Sequence, residues 1–163
     1  MRYWFSVAAI ILSAWLTPPA LAADRDLDEC ENTKDANRSI AACTRLIESG
    51  REVDHAYYSR GLAYGSVDND RAIADLTAAI RLNPKYPFYY FVRGVIYLNQ
   101  GDYDRGIADF TVAIRNDSTK RPAYFRSRSE AYRAKGDAAR ALADHNEYVR
   151  LRAEFERRAG TGR

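Results

Sequence analysis

The sequence predicts an all-α fold, an array of antiparallel helical hairpins. One block of residues recurs at a nearly constant spacing, the apolar positions inside it keep helical periodicity, and breaker residues fall between the blocks while strand signals are absent. The 163 residues suffice for one domain with a real core, and with 47% hydrophobic and 29% charged side chains the chain is too polar on average for an integral membrane protein. Twelve Tyr, six Phe and two Trp argue against disorder.

The recurring block is Arg71-Ala-Ile-Ala-Asp-Leu-Thr-Ala-Ala-Ile-Arg81, matched 34 residues later by Arg105-Gly-Ile-Ala-Asp-Phe-Thr-Val-Ala-Ile-Arg115. A third copy runs from Arg140 to Arg150, and Arg38 to Glu48 precedes the first. A second block recurs upstream of these, at Arg60-Gly-Leu-Ala-Tyr64, Arg93-Gly-Val-Ile-Tyr97 and Arg128-Ser-Glu-Ala-Tyr132. Ile73, Leu76, Ala79 and Ile80, then Ile107, Phe110, Ala113 and Ile114, lie on one helical face. Gly101-Asp102, Gly136-Asp137 and Asp68-Asn69-Asp70 supply turns within each pair, and Asn83-Pro84 ends the first long pair. The expected helices span 37–48, 54–66, 69–82, 87–100, 104–116, 122–135 and 138–158, the last serving as a cap with Val149 and Phe155 inward and its arginines outward.

This pattern resembles the tetratricopeptide repeat (TPR), a helix–turn–helix unit of 34 residues. Tyr90, Gly94, Tyr97, Gly101-Asp102-Tyr103, Gly106, Phe110 and Ala113 match its motif in one copy; Tyr57, Gly61, Tyr64, Ala72, Leu76, Ala79 and Pro84 match it in the copy before. The last copy keeps Phe125, Tyr132, Gly136-Asp137 and Ala141 but departs at Ser129, His145 and Tyr148. The resemblance implies a right-handed solenoid of about 3.5 TPR units, of the type found in exported bacterial proteins. The units divide as a degenerate half-repeat over 23–53, then repeats over 54–86, 87–121 and 122–163. Gly61 and Gly94 each cost a helix roughly 1 kcal/mol against Ala, a cost offset where a missing Cβ lets two helices of a hairpin approach closely.

Residues 1–22 read as a cleaved signal peptide: Arg2 supplies the positive start, Trp4 to Leu16 the apolar run, Pro18-Pro19 the break, and Ala20-Leu21-Ala22 the small-x-small site. The apolar run is short for a membrane span of roughly 20 residues. Localisation is therefore expected to be periplasmic or secreted. In an oxidising compartment the two cysteines, Cys30 and Cys43, read as a disulfide.

Charge is uneven. Residues 23–57 carry 5 basic and 9 acidic side chains, residues 58–119 carry 7 of each, and residues 120–163 carry 12 basic and 6 acidic. The basic C-terminal end reads either as a solvated cap or as a docking end for an acidic partner or an anionic membrane surface. A total of only +3 lacks the excess of a nucleic-acid binder. Arg60, Arg93 and Arg128 recur with Asp75, Asp109 and Asp144, and triplication at equivalent positions favours structural ion pairs over a catalytic site.

No nucleophile elbow, phosphate loop, carboxylate pair or metal-ligand cluster stands out, so neither catalytic residues, metal, cofactor nor small-molecule substrate is expected. His145 is expected to face the interior, and Tyr90 is placed in the core. The resemblance instead implies a concave groove for a protein or peptide segment, lined by Tyr58, Leu62, Phe88, Phe91, Val95, Asn99, Arg126, Glu130 and Arg133. Tyr58 and Phe91 stand where a clamp for a terminal carboxylate would need Asn or Lys. Phe88 and Phe91 could equally pack against the next hairpin or a second copy. The expected function is an exported, non-catalytic adaptor, with a self-associating envelope module as the alternative.

Overall fold

The computed structural model describes residues 19–32 and 34–160. Among them are eight helices and no strand: α1 (Pro19–Asn32), α2 (Ala36–Ser49), α3 (Val53–Tyr64), α4 (Asn69–Leu82), α5 (Pro87–Asn99), α6 (Tyr103–Asn116), α7 (Pro122–Ala134) and α8 (Ala138–Gly160). Their boundaries follow local chemistry. Pro87 and Pro122 open α5 and α7, at a position where a missing N–H costs nothing. The Asp68 and Asp102 side chains accept from the backbone N–H of Arg71 and Arg105 at 3.1 Å, and Asp137 accepts from that of Arg140 at 3.0 Å. Gly50 ends α2 in the left-handed conformation.

Consecutive helices pair as hairpins, α1 with α2 through α7 with α8, and the second helix of each packs on the first helix of the next. The fold is a solenoid of antiparallel helical hairpins. Its core runs along the inside of the pairs as Ala42, Cys43 and Leu46, then Ala72, Leu76 and Ala79, then Phe110 and Ala113, all buried. The close approach expected at the glycines is present. A Cβ on Gly94 would lie 2.8 Å from Phe110 Cε1, and one on Gly61 would lie 3.1 Å from Leu76 Cγ.

The N-terminal unit is a full helix pair rather than a half. The sparse apolar content of α1, in which Leu27 and Cys30 face the core, hides its periodicity from a sequence reading. The apolar run Trp4–Leu16 lies outside the described residues; Pro19, expected to break the chain, opens α1, and the expected cleavage point after Ala22 falls within that helix. Cys30 and Cys43 form a disulfide linking α1 to α2, with Cα atoms 4.9 Å apart, at the centre of a buried cluster with Ala42, Leu46 and Ala56.

The last helix departs from expectation. Its buried stripe is Ala141, Asp144 and Leu151, with Tyr148 half-buried. Val149 follows Tyr148 by about 100° of helical rotation and so faces outward, 50% exposed, while Phe155 is 71% exposed. His145, expected to face inward, is also exposed. One register error recurs in α5: Tyr89, not Tyr90, is the fully buried tyrosine, and the half-buried Tyr90 sends its hydroxyl to the Pro84 carbonyl at 3.1 Å.

Gly94→Leu should therefore overpack the α5–α6 seam against Phe110 and cost about 1–3 kcal/mol or more, read as a lowered melting temperature; an unchanged one would contradict the seam. Reducing the disulfide, or replacing both cysteines by Ser, should remove roughly 3 kcal/mol in the chain-entropy account of a short closed loop, measured by urea denaturation with and without reductant.

Candidate interaction groove

The odd-numbered helices touch across repeats, α1 with α3 and α5 with α7, and no even-numbered pair packs to the same extent. This places α1, α3, α5 and α7 on the inner side of the curve. The expected groove residues sit on α3, α5 and α7. Leu62 is 46% exposed; Tyr58, Phe88, Phe91, Val95 and Glu130 are half-buried; Asn99, Arg126 and Arg133 are exposed.

The aromatic residues form one connected run rather than an open cleft. Tyr58 packs on Tyr89 with ring centroids 5.2 Å apart, Tyr89 on Tyr86 at 4.6 Å, Tyr86 on Phe88 at 5.8 Å and Phe88 on Tyr124 at 6.1 Å. Phe91 closes it, 4.9 Å from Tyr124 and 6.0 Å from Phe110. Such separations are those of favourable offset and edge contacts. Phe91 thus spends its ring on the seam between the last two hairpins, and the Arg121 guanidinium covers Phe88 at 4.6 Å.

Apolar surface remains open at Leu62 and at Tyr86, which is 38% exposed. Leu62 borders a hollow of about 260 Å³ lined also by Ser39, Ser59, Ser66, Glu31 and Lys34. At the other end Arg126 keeps its head in solvent, 3.8 Å from Glu130, and Arg133 is exposed one turn further on.

Sequence reasoning missed Tyr89, Tyr124 and their acidic neighbours. Tyr89 donates to Asp54 Oδ2 at 3.0 Å, and Asn83 Nδ2 donates to the same oxygen at 3.2 Å, tying α5 to the start of α3. Burial would raise the Asp54 pKa, but these bonds and backbone N–H groups outweigh it and hold the carboxyl below the usual 3.8. Burial first, then Asp54, pushes the Tyr89 hydroxyl well above its ordinary range. The signal was available: Tyr89 and Tyr124 are related by the same 35-residue shift as Arg93 and Arg128.

The three arginine–aspartate pairs are bidentate. Arg93 Nε and Nη2 donate to Asp109 at 2.8 and 2.9 Å, with equivalent forks from Arg60 to Asp75 and from Arg128 to Asp144. Each guanidinium also reaches back to the preceding hairpin, where Nη1 donates to Thr44, Thr77 or Thr111 at 2.9, 2.8 and 3.0 Å respectively. These groups are largely occupied by one another, and their geometry is that of scaffold joints.

The tetratricopeptide-repeat family model matches residues 62–121. Over these residues the chain carries tetratricopeptide repeats. No curated protein matches the sequence. Among solved structures the chain is similar to a crystal structure of MamA, at 24% identity and a TM-score of 0.70 over 75% of this chain and 71% of that one. It is also similar to MamA from residue 41 to its end from Desulfovibrio magneticus RS-1, at 17% identity and a TM-score of 0.72 over 84% and 77%. A third neighbour is the second TPR of Spaghetti (RPAP3) bound to the HSP90 peptide SRMEEVD, at 22% identity and a TM-score of 0.58 over 64% and 96%. At these identities the likeness is one of fold.

The Tyr89–Asp54 bond has a pH signature. Because the folded-state carboxyl titrates below its unfolded value, its contribution is complete above 3.8 and is lost as pH falls through the lower folded value. Tyr89→Phe should cost about 1–3 kcal/mol at neutral pH, and the gap from wild type should narrow in acid. A gap independent of pH down to unfolding would remove Asp54 from the account.

Proposed function

We propose that this protein is an exported, non-catalytic adaptor that holds an extended protein or peptide segment along its inner helices. The observation that carries the reading is the unspent surface there: Leu62 stays open beside a polar hollow, Tyr86 stays open at the start of α5, and Arg126 and Arg133 stay open on α7. Tyrosine and arginine are among the side chains that most often dominate binding energy at protein interfaces. The peptide-bound RPAP3 neighbour supports a segment of chain as ligand. A terminal-carboxylate clamp is not part of the proposal, since Tyr58 and Phe91 occupy the positions such a clamp would use.

Export rests on the apolar run and small-x-small pattern of residues 1–22 and is supported by the cysteine pair, which an oxidising compartment would keep bonded. The protein then meets its partner in the periplasm or beyond it.

Photo-crosslinking in the native host tests the adaptor reading. A photoreactive residue at Leu62 or Arg133 should give the same discrete partner band, and one at Arg115, on α6, should give none. Leu62→Asp should weaken capture about tenfold or more with the fold intact. Equal crosslinking from Arg115, or capture unaffected by Leu62→Asp, would overturn the groove.

A further inference from the structure

We propose that the open C-terminal face of the solenoid pairs with the same face of a second copy, through antiparallel contact of the two α8 helices. The surface differs from the groove, and the inference does not rest on the adaptor reading.

The repeats themselves define what this face is built to receive. Ile73, Thr77 and Ile80 on α4 correspond to Ile107, Thr111 and Ile114 on α6. Both sets lie under the first helix of the following hairpin, whose arginine donates to the threonine. The same register on α8 carries Leu142, Asn146 and Val149. Within the described residues nothing covers them: Leu142 is 60% and Val149 50% exposed. Two large aliphatic side chains and a polar acceptor at the rung position thus repeat a buried interface on an open surface.

The opposite end of the array does not complement it. On α1 Glu31 is turned to His55 of α3 at 2.9 Å and Asp24 to Arg51, while Leu27 and Cys30 turn into their own hairpin. The apolar side chains of α1 are thus spent inside their own hairpin, and head-to-tail stacking would supply no apolar cover. The α8 face supplies apolar cover and an arginine to itself. In an antiparallel crossing at Val149, Arg152 lies as far beyond the crossing as Asn146 lies before it, so each arginine meets Asn146 of the second copy. Arg152 is already oriented by Glu156 at 2.8 Å, as Arg93 is by Asp109. By the same symmetry Leu142 comes opposite Glu156, at the mouth of a notch of about 320 Å³ whose apolar wall is Pro122, Ala123 and Phe155. The 71% exposed Phe155 would gain cover there. One patch meeting its own copy is the requirement of a twofold interface.

Sedimentation equilibrium on the purified protein should give the mass of two chains, dissociating on dilution. Val149→Asp and Leu142→Asp should each weaken the dimer about tenfold or more while leaving the circular dichroism unchanged. Val149→Cys, with Cys30 and Cys43 engaged with each other, should form a covalent dimer on mild oxidation, and this variant decides the matter if an aspartate variant misfolds. A monomer at every concentration, masses rising beyond two chains as head-to-tail growth would give, a dimer indifferent to Val149→Asp, or no Val149→Cys crosslink would each overturn the proposal. Groove crosslinking from Leu62 is read separately, so failure of one leaves the other standing.

Discussion

Each joint between hairpins depends on a guanidinium held on three sides. Arg60, Arg93 and Arg128 are more than four-fifths removed from solvent, which would be prohibitive for an isolated charge. The cost is met by filling the donor fork. Two N–H groups go to an aspartate on the other helix of the same hairpin, and a third goes to a threonine of the preceding hairpin. Thr44 and Thr111 pass their own proton to the carbonyl of Ile40 and Ile107, leaving an oxygen lone pair for the arginine. Rings stand beside the plane: Tyr90 and Tyr97 lie 6.0 and 5.9 Å from Arg93, and Phe125 and Tyr132 lie 5.9 and 6.0 Å from Arg128. Buried pairs of this kind specify geometry more than they add stability. Here the geometry specified is the step from one hairpin to the next.

The other constraint is the approach of helices within each pair. Gly94 faces Phe110, and Gly106 in turn lies against the Gly94 carbonyl, so a missing side chain on each helix admits the aromatic ring between them. The rung and this close approach are complementary. The glycine brings the two helices near enough for Arg93 to fork onto Asp109, and the fork then holds the ring in place. The first hairpin lacks the glycine, has Ala42 in place of the aspartate, and carries its pair reversed and nearer solvent, with Arg45 of α2 donating to Asp26 of α1 at 2.9 and 2.6 Å. There the Cys30–Cys43 disulfide performs the joining covalently, inside a cluster of small residues.

The repeated features were legible because they recur in equivalent registers: the helices after residue 36, the turns between them, the glycine seams at Gly61 and Gly94, and the three arginine–aspartate pairs. What the sequence obscured lies where repetition fails. α1 has too few apolar residues to declare its face, and Tyr90 fits a motif position that hides the deeper burial of its neighbour Tyr89. The reach of each arginine to a threonine of the preceding hairpin needs the packing between repeats, which spacing alone does not give. The residues named for the groove lie on α3, α5 and α7, but which of them keep an open surface and which are spent on a seam was not legible. Phe91 becomes a packing residue only because Tyr124, from the next hairpin, lies against it.

That partition separates the two exposed faces of the molecule by chemistry. Along the inner helices the rings satisfy one another, so the surface left over is a polar hollow beside Leu62 at one end and arginine heads at the other. On α8 the opposite holds. The pattern that elsewhere receives a helix is intact at Leu142, Asn146 and Val149, but no helix of the described chain occupies it. The outward face of α8 keeps the interior pattern at two of its three positions and replaces a hydroxyl by an amide at the third. It is the face of an internal repeat, and its chemistry calls for another helix rather than for water.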